Sequence, residues 1–303
     1  MDTITHTLFG LTLYGAVDKR KMTRKEKQAL FITAVAGSQI PDIDVISSWW
    51  DTAGRYQMWH RGITHSLFMV PVWAALLALV ARWWFKVKGW FWFGIAALAV
   101  WIHSTSDLFN AWGTGYLEPF STVRVTFGTI PIVDLVFWGL MLGGLLVSII
   151  WRRGKPKFAV YRAVWALIAL HVVIQSAQGY AVYQQASPYY EQVALSAEFV
   201  PGVFTVIGKE GEKVELSRAT LWNGVEPPAI QLHSEESADL NSLFAENPRA
   251  ETLYEWSPFV VVVDDGETLG IYDPRFYRNG QSFLFESIER VLDETEERWS
   301  NPD

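Results

Sequence analysis

Residues 60–84 read HRGITHSLFMVPVWAALLALVARWW, a polar, histidine-bearing head running directly into an apolar stretch. From Ser66 to Trp84 the only charged residue is Arg82. As a helix, such a stretch rises by roughly 30 Å, the thickness of a bilayer core. Pro71 predicts a kink near its start. Three further stretches of the same kind follow, at 90–108, 130–151 and 161–183. Two apolar segments precede it, at 3–17 and 28–40, and both are short for a full crossing. Thr3 or Thr5 is the expected cap of the first. The fold class is mainly α: a polytopic transmembrane helical bundle.

Basic residues give the orientation. They cluster at 19–27, 82–88 and 152–157, at every second connection. The positive-inside rule keeps these connections in the cytoplasm. Residues 41–65, 103–130 and everything after 184 then lie outside, in a multi-pass protein of the bacterial cell membrane. No cleavable signal peptide is visible at the N-terminus, so insertion is expected to use the internal segments.

The remainder has a different character. Residues 1–184 carry 17 Lys+Arg against 9 Asp+Glu, and residues 185–303 carry 8 against 23. That asymmetry predicts two domains: a membrane helical domain over 1–184 and a small acidic β-rich (α+β) extracytoplasmic domain over 185–303. In the second, 204–207, 214–221 and 259–263 read as strands, and Asp264-Asp265-Gly266 and Arg278-Asn279-Gly280 as turns. Residues 235–246 suit a short helix. Residues 283–299 fit either an amphipathic helix or a strand. The acidic half repels nucleic acid, so none is expected as a partner. The chain has no cysteine, which excludes disulfides, Cys-zinc sites and Cys nucleophiles. It also lacks His-Glu-x-x-His, Gly-x-Ser-x-Gly and a P-loop, the marks of zincins, serine hydrolases and NTPases.

What the first third does contain is a set of ligand-type residues in apolar surroundings. Four of the six histidines belong to it: His6, His60, His65 and His103. The carboxylates are Asp42, Asp44 and Asp107. An ionised Asp in an apolar helix costs roughly 2.5–3.5 kcal/mol on insertion scales, and a divalent cation is an economical compensation. His103 and Asp107, four apart, share one helical face. Asp42 and Asp44, in an extended segment, would point the same way, with Asp44 favoured as ligand and Asp42 the second candidate. His60 and His65, five apart, do not share a helical face. His65 is taken as a ligand, with Thr64 or Ser66 capping the helix beside it. His60 and Arg61 suit an anionic group of a substrate. The orientation puts His6 on the same outer side. Asp134 reads as a helix-start carboxylate, His171 as a packed, hydrogen-bonded residue and His233 as a surface one. With nitrogen and oxygen donors only, zinc is the first expectation and manganese the second.

Four pieces carry a family resemblance: Met1-Asp2-Thr3-Ile4-Thr5-His6, Pro41-Asp42-Ile43-Asp44, His60-Arg61-Gly62-Ile63-Thr64-His65-Ser66 and His103-Ser104-Thr105-Ser106-Asp107. Residues 1 to about 180 resemble the YdjM-like membrane-bound metal-dependent hydrolases, also called LexA-binding inner membrane-associated hydrolases. The whole chain looks most like the YfhP-type members. The order of ligand types is more distantly similar to that of zinc-dependent phospholipase C and P1-type nucleases. That likeness implies that Asp44, His65, His103 and Asp107 hold one metal, and that Asp107 bridges to a second held partly by His6. The later His-x-x-x-Glu group of those enzymes has no counterpart, which implies one or two ions. The resulting expectation is a metal-dependent hydrolase acting on a phosphoester, small or carried by a membrane lipid, with Asp44 as general base as well as ligand. The alternative is a non-enzymatic membrane protein with a structural metal and an outer domain that binds a partner or senses the envelope.

Overall fold

The computed structural model describes residues 1–150 and 157–290. The basic residues Arg152, Arg153 and Lys155, and the part of 283–299 beyond Arg290, lie outside the described residues.

Helix α1 spans Thr3–Ala16, and its cap is Asp2 rather than either threonine: the Asp2 carboxylate accepts from the amides of Ile4 and Thr5. Helix α2 spans Arg24–Gly37, starting inside the charged run. Thr23 and Glu26 form a reciprocal capping box there, which satisfies two otherwise orphaned amides. After Ser38 the chain tightens into a 3-10 helix over Ile40–Trp49, where an extended segment was expected. Helix α3 covers Tyr56–Trp59. Ser66 caps the next turn by accepting from the Met69 amide, and α4 follows over Val70–Phe85. Pro71 lies in the first turn of α4, where its missing N–H costs no hydrogen bond, so it starts the helix instead of kinking it. Helix α5 is Phe91–Ser106, α6 is Leu135–Ile150 and α7 is Lys157–Ala186.

Among the described residues, two helical stretches, Leu67–Phe85 and Lys157–Tyr189, are long and apolar enough to cross a bilayer, and a third results if α2 and the 3-10 helix, bent by 52°, form one broken span. The predicted spans at 90–108 and 130–151 come out shorter. α5 and α6 each have 16 described residues, about 24 Å of helix. The polar end of α5, from His103 on, belongs to a buried cluster. α6 begins only at Leu135, where Asp134 accepts from the Phe137 amide.

Small residues allow the helices to close on one another. Leu13 of α1, Leu30 and Ala34 of α2, Ala81 of α4 and Ile95 and Ala99 of α5 make one core. Phe9, Phe137, Met141, Val164 and Ile168 join α1, α6 and α7 in another. A side chain at Gly37 would come within 2.8 Å of the Ala99 methyl group, so the α2–α5 crossing depends on glycine there.

The C-terminal part is β-rich. Strands β1 (Gln192–Ala197), β2 (Val203–Glu210), β3 (Lys213–Thr220) and β4 (Gly224–Val225) pair in that order, and β5 (Ile230–His233) also pairs with β3. Helices α8 (Asn241–Glu246) and α9 (Pro248–Trp256) precede β6 (Val261–Asp264) and β7 (Thr268–Tyr272). The expected helix at 235–246 is therefore confined to its second half. β8 (Tyr277–Arg278) and β9 (Gln281–Ser282) flank the predicted turn, and β10 (Phe285–Glu289) completes a β10-β7-β6 sheet. All the pairings are antiparallel.

This part docks on the loops that carry the histidines. The end of α7 packs Val182 and Ala186 against Leu195, Phe204 and Ala219. Trp112 packs against Trp256 with ring centres 4.8 Å apart and the planes tilted by 54°. The Thr252 hydroxyl donates to the Ala53 carbonyl at 3.0 Å. Arg275, buried and paired with Asp273, donates to the Ala111 carbonyl. His233 is exposed beside Glu235.

Candidate metal centre

Four segments converge on one buried point: the 3-10 helix through Asp42, the 63–65 turn through His65, the last turn of α5 through His103, and the turn after it through Asp107. One donor atom from each lies within 4.8 Å of all the others. Nε2 of His65 is 3.2 Å from Asp42 Oδ1 and 3.5 Å from Asp107 Oδ2. Nε2 of His103 is 3.5 Å from Asp42 Oδ1 and 3.9 Å from Asp107 Oδ2. The two Nε2 atoms are 3.0 Å apart. Donors placed tetrahedrally at zinc-ligand distances sit about 3.3 Å from one another, so this set has the right size for such an ion.

The hydrogen bonds behind the imidazoles favour one tautomer for each ring. His103 Nδ1 lies 2.7 Å from the Ser38 carbonyl, which can only accept, so Nδ1 carries the proton and Nε2 is bare. Thr64 donates its hydroxyl to Asp44 Oδ2 at 2.7 Å. Its oxygen is then free to accept from His65 Nδ1 at 3.0 Å, leaving the His65 Nε2 bare as well. Two lone pairs facing each other in a dry pocket repel unless a cation lies between them. Ligating histidines are held in this manner, with the second ring N–H given to an oxygen.

Unpartnered atoms point the same way. Asp107 Oδ2 and both ring nitrogens of His6 are buried with no hydrogen-bond partner, a rare condition for interior polar atoms. His6 stacks on His103 with ring centres 3.6 Å apart, and its Nε2 is 3.5 Å from Asp107 Oδ1. Asp107 therefore faces His65 and His103 with one oxygen and His6 with the other. The Met1 ammonium also contacts Oδ1.

Asp44 occupies a different place from Asp42. It accepts from His60 Nδ1 at 3.0 Å and from the Arg61 amide at 3.1 Å, in addition to Thr64. It orients the groups around the cluster, and with Asp42 and His60 it forms a second grouping of possible donors. His60 stacks on Tyr56 and is partly exposed on a cleft that Asp42 also lines. Burial lowers the His60 pKa below the usual imidazole value, against the opposing pull of Asp44. Arg61 is turned inward, where sequence suggested an outward role. Its guanidinium donates to Asn110 Oδ1 and the Met1 carbonyl and lies 3.3 Å from Asp107 Oδ2. Burial lowers its pKa to about 10. Its backbone has φ +61°, a left-handed conformation unusual for a residue with a side chain.

Sequence reading passed over three contributors. The Ser38 carbonyl carries no sequence signature. Thr64 reads in the sequence as a helix cap, with no hint of its place between Asp44 and His65. Arg124 donates to the Met58 and His60 carbonyls and so pins the strained segment, and burial lowers its pKa to about 10. Asp134 and His171, outside the cluster, pair with each other at 3.0 Å.

The fold and the cluster define a membrane-associated helical protein with a buried His/Asp site able to hold a metal ion. The chain belongs to the family described as YdjM inner membrane protein, whose model matches residues 1–181. It is 28% identical over 182 residues to the uncharacterized protein YfhP of Bacillus subtilis (strain 168), covering 58% of this chain and 54% of that protein. It thus spans about half the length of that relative. It is 26% identical over 147 residues to the inner membrane protein YbcI of Escherichia coli (strain K12), covering 42% of this chain and 85% of that protein. No solved structure matches. None of these names states a reaction, and the expected likeness to hydrolases and P1-type nucleases finds no support among them.

Proposed function

We propose that this protein is a membrane-bound, metal-dependent hydrolase of phosphoesters, small or carried by a lipid, working at the outer face of the membrane. The observation that carries the reading is the pair of bare Nε2 atoms of His65 and His103, set 3.0 Å apart between the carboxylates of Asp42 and Asp107. These four side chains would hold the ion, with zinc favoured over manganese for a nitrogen and oxygen donor set. When bound, such an ion supplies Lewis-acid polarisation of a phosphoryl oxygen and a nucleophile at neutral pH. The chain's own residues divide the remaining work. Asp42 is the one donor of the four that is not fully buried, and it opens the cluster towards the cleft. His60, oriented through Nδ1 by Asp44, presents Nε2 there as the acid or base for the proton that must move. Arg61 holds Asp107 in register instead of meeting the substrate.

A structural role for the metal is the second reading. It is favoured by full burial of His65, His103 and Asp107, since a structural site is closed and a catalytic site keeps one position open. Partial exposure of Asp42 favours catalysis. The test is turnover of a panel of phosphomonoesters, phosphodiesters and phospholipids by metal-loaded protein. The expected result is hydrolysis lost in Asp42→Ala and His60→Ala. A metal-loaded protein that hydrolyses none of them would sink the proposal and leave the structural role.

A further inference from the structure

The cleft beside the cluster has an unusual wall. It lies between the start of α1, the end of α2 and the 3-10 helix, and Asp42 and His60 sit at its inner end. Ala36, Ile40, Ile43 and Val45 line it, with Asp2, Thr3, Gln39 and Tyr56 beside them, and no Lys or Arg does. Ile43 is 43% exposed and Val45 50% exposed. Arg61, next to His60 in the chain, is spent on Asn110, Met1 and Asp107.

The apolar surface continues outward from this wall. Ile32 of α2 is exposed, and it lies four residues before Ala36, on the same helical face. Ile4 and Leu11 of α1, seven apart and both exposed, extend that face sideways. At the other end of the 3-10 helix, Trp49 and Trp50 are exposed, in the manner of aromatic side chains at a bilayer interface. A soluble, multiply charged substrate would find no cation in this groove except at its inner end. An amphiphile with one phosphate head fits the pattern: head at the metal cluster, chain along the apolar wall, and a mouth continuous with the apolar face of the helix pair.

We infer that the groove between α1, α2 and the 3-10 helix takes the acyl chain of a phosphate-bearing membrane lipid, which enters sideways from the bilayer so that its head reaches Asp42 and His60. This rests on the reading of the cluster as a metal centre and names its substrate class.

The absence of cysteine allows a clean test on the full chain. A fluorophore is attached at Val45→Cys, and separately at Ile43→Cys in case one variant fails to fold. The protein is placed in vesicles of phosphatidylglycerol and phosphatidylethanolamine. The expected result is strong quenching by lipids brominated near the glycerol end of the acyl chain and weak quenching by aqueous iodide, with the reverse at a label on Trp222→Cys of the outer domain. The detergent-purified protein should also retain phosphatidylglycerol over diacylglycerol by about fivefold, a preference near 1 kcal/mol. Iodide access without lipid quenching at both groove positions overturns the inference, as does equal retention of the two lipids. Metal content of the same sample reports on the centre separately. A full metal complement with a water-filled groove overturns the lipid track alone. A metal-free protein with a lipid-filled groove overturns the hydrolase reading alone.

Discussion

Nε2 of His65 and Nε2 of His103 face each other at 3.0 Å while both Nδ1 atoms are committed to oxygen acceptors. In the tautomers these bonds favour, the ring protons point away from the space between the two Nε2 atoms. The first prediction is therefore that protein purified in detergent carries a divalent ion, and that His103→Ala and His65→Ala each lose it. Mass spectrometric metal analysis of wild type beside the two variants checks this. Absence of metal from wild type after reconstitution with zinc and with manganese would leave the cluster as a polar network.

Asp42 and Asp44 should separate in the same measurement. Asp42→Asn replaces an anionic donor, 3.2 Å from His65 Nε2, with a neutral and weaker amide oxygen, and metal binding should fall sharply. Asp44→Asn keeps the four donors and disturbs the support of His60 and Thr64. Outer-sphere changes of this kind typically cost about 10–100-fold in metal affinity. Competition against a chelator of known affinity reads both. Equal loss in the two variants would count against the assignment of Asp42 as the ligand and Asp44 as the support.

The divergence of these two carboxylates has a physical cause. An extended strand repeats every two residues and would point Asp42 and Asp44 the same way. The segment instead folds as a 3-10 helix, with about three residues per turn, so side chains two apart diverge by roughly 120°. One aspartate then reaches the cluster and the other reaches His60. The rest of the set was legible because ionisable residues are scarce in so apolar a sequence, and because His103 and Asp107 have helical spacing. Thr64 and the Ser38 carbonyl were not, since relays and backbone acceptors leave no trace in residue type. Arg61 reads as an anion binder by chemistry, and only the fold shows that its anion is Asp107. Helix α9 carries a readable start, an Asn247 cap followed by Pro248, in a stretch to which the sequence reading assigns no element.

Arg61 is the third test. Removing one partner from a buried charge network commonly costs about 3–5 kcal/mol, because the other charge is left uncompensated. Arg61→Ala should lower the melting temperature in detergent clearly, and Arg61→Lys should not restore it, since an ammonium cannot reproduce the fork that joins Asn110 and the Met1 carbonyl. An unchanged melting temperature in Arg61→Ala would mean that its ionic contacts do not hold the site.

The docking of the C-terminal domain includes one close backbone approach. Gly128 has φ +62°, and a Cβ there would lie 1.9 Å from the Leu195 carbonyl oxygen of β1. Neither backbone can yield without moving the sheet or the loop that runs back to the cluster. Gly128→Ala should therefore destabilise the protein by about 2–3 kcal/mol, in the range of backbone strain combined with overpacking, and should expose the 109–130 segment to protease. Gly139, inside α6 with nothing within 4 Å of an added Cβ, is the control. Gly139→Ala should be neutral or stabilising by about 0.5–1 kcal/mol, as expected for alanine over glycine in a helix. Thermal melting and limited proteolysis of the two variants together check the contact. If Gly128→Ala melts and resists protease like Gly139→Ala, β1 does not sit against this loop.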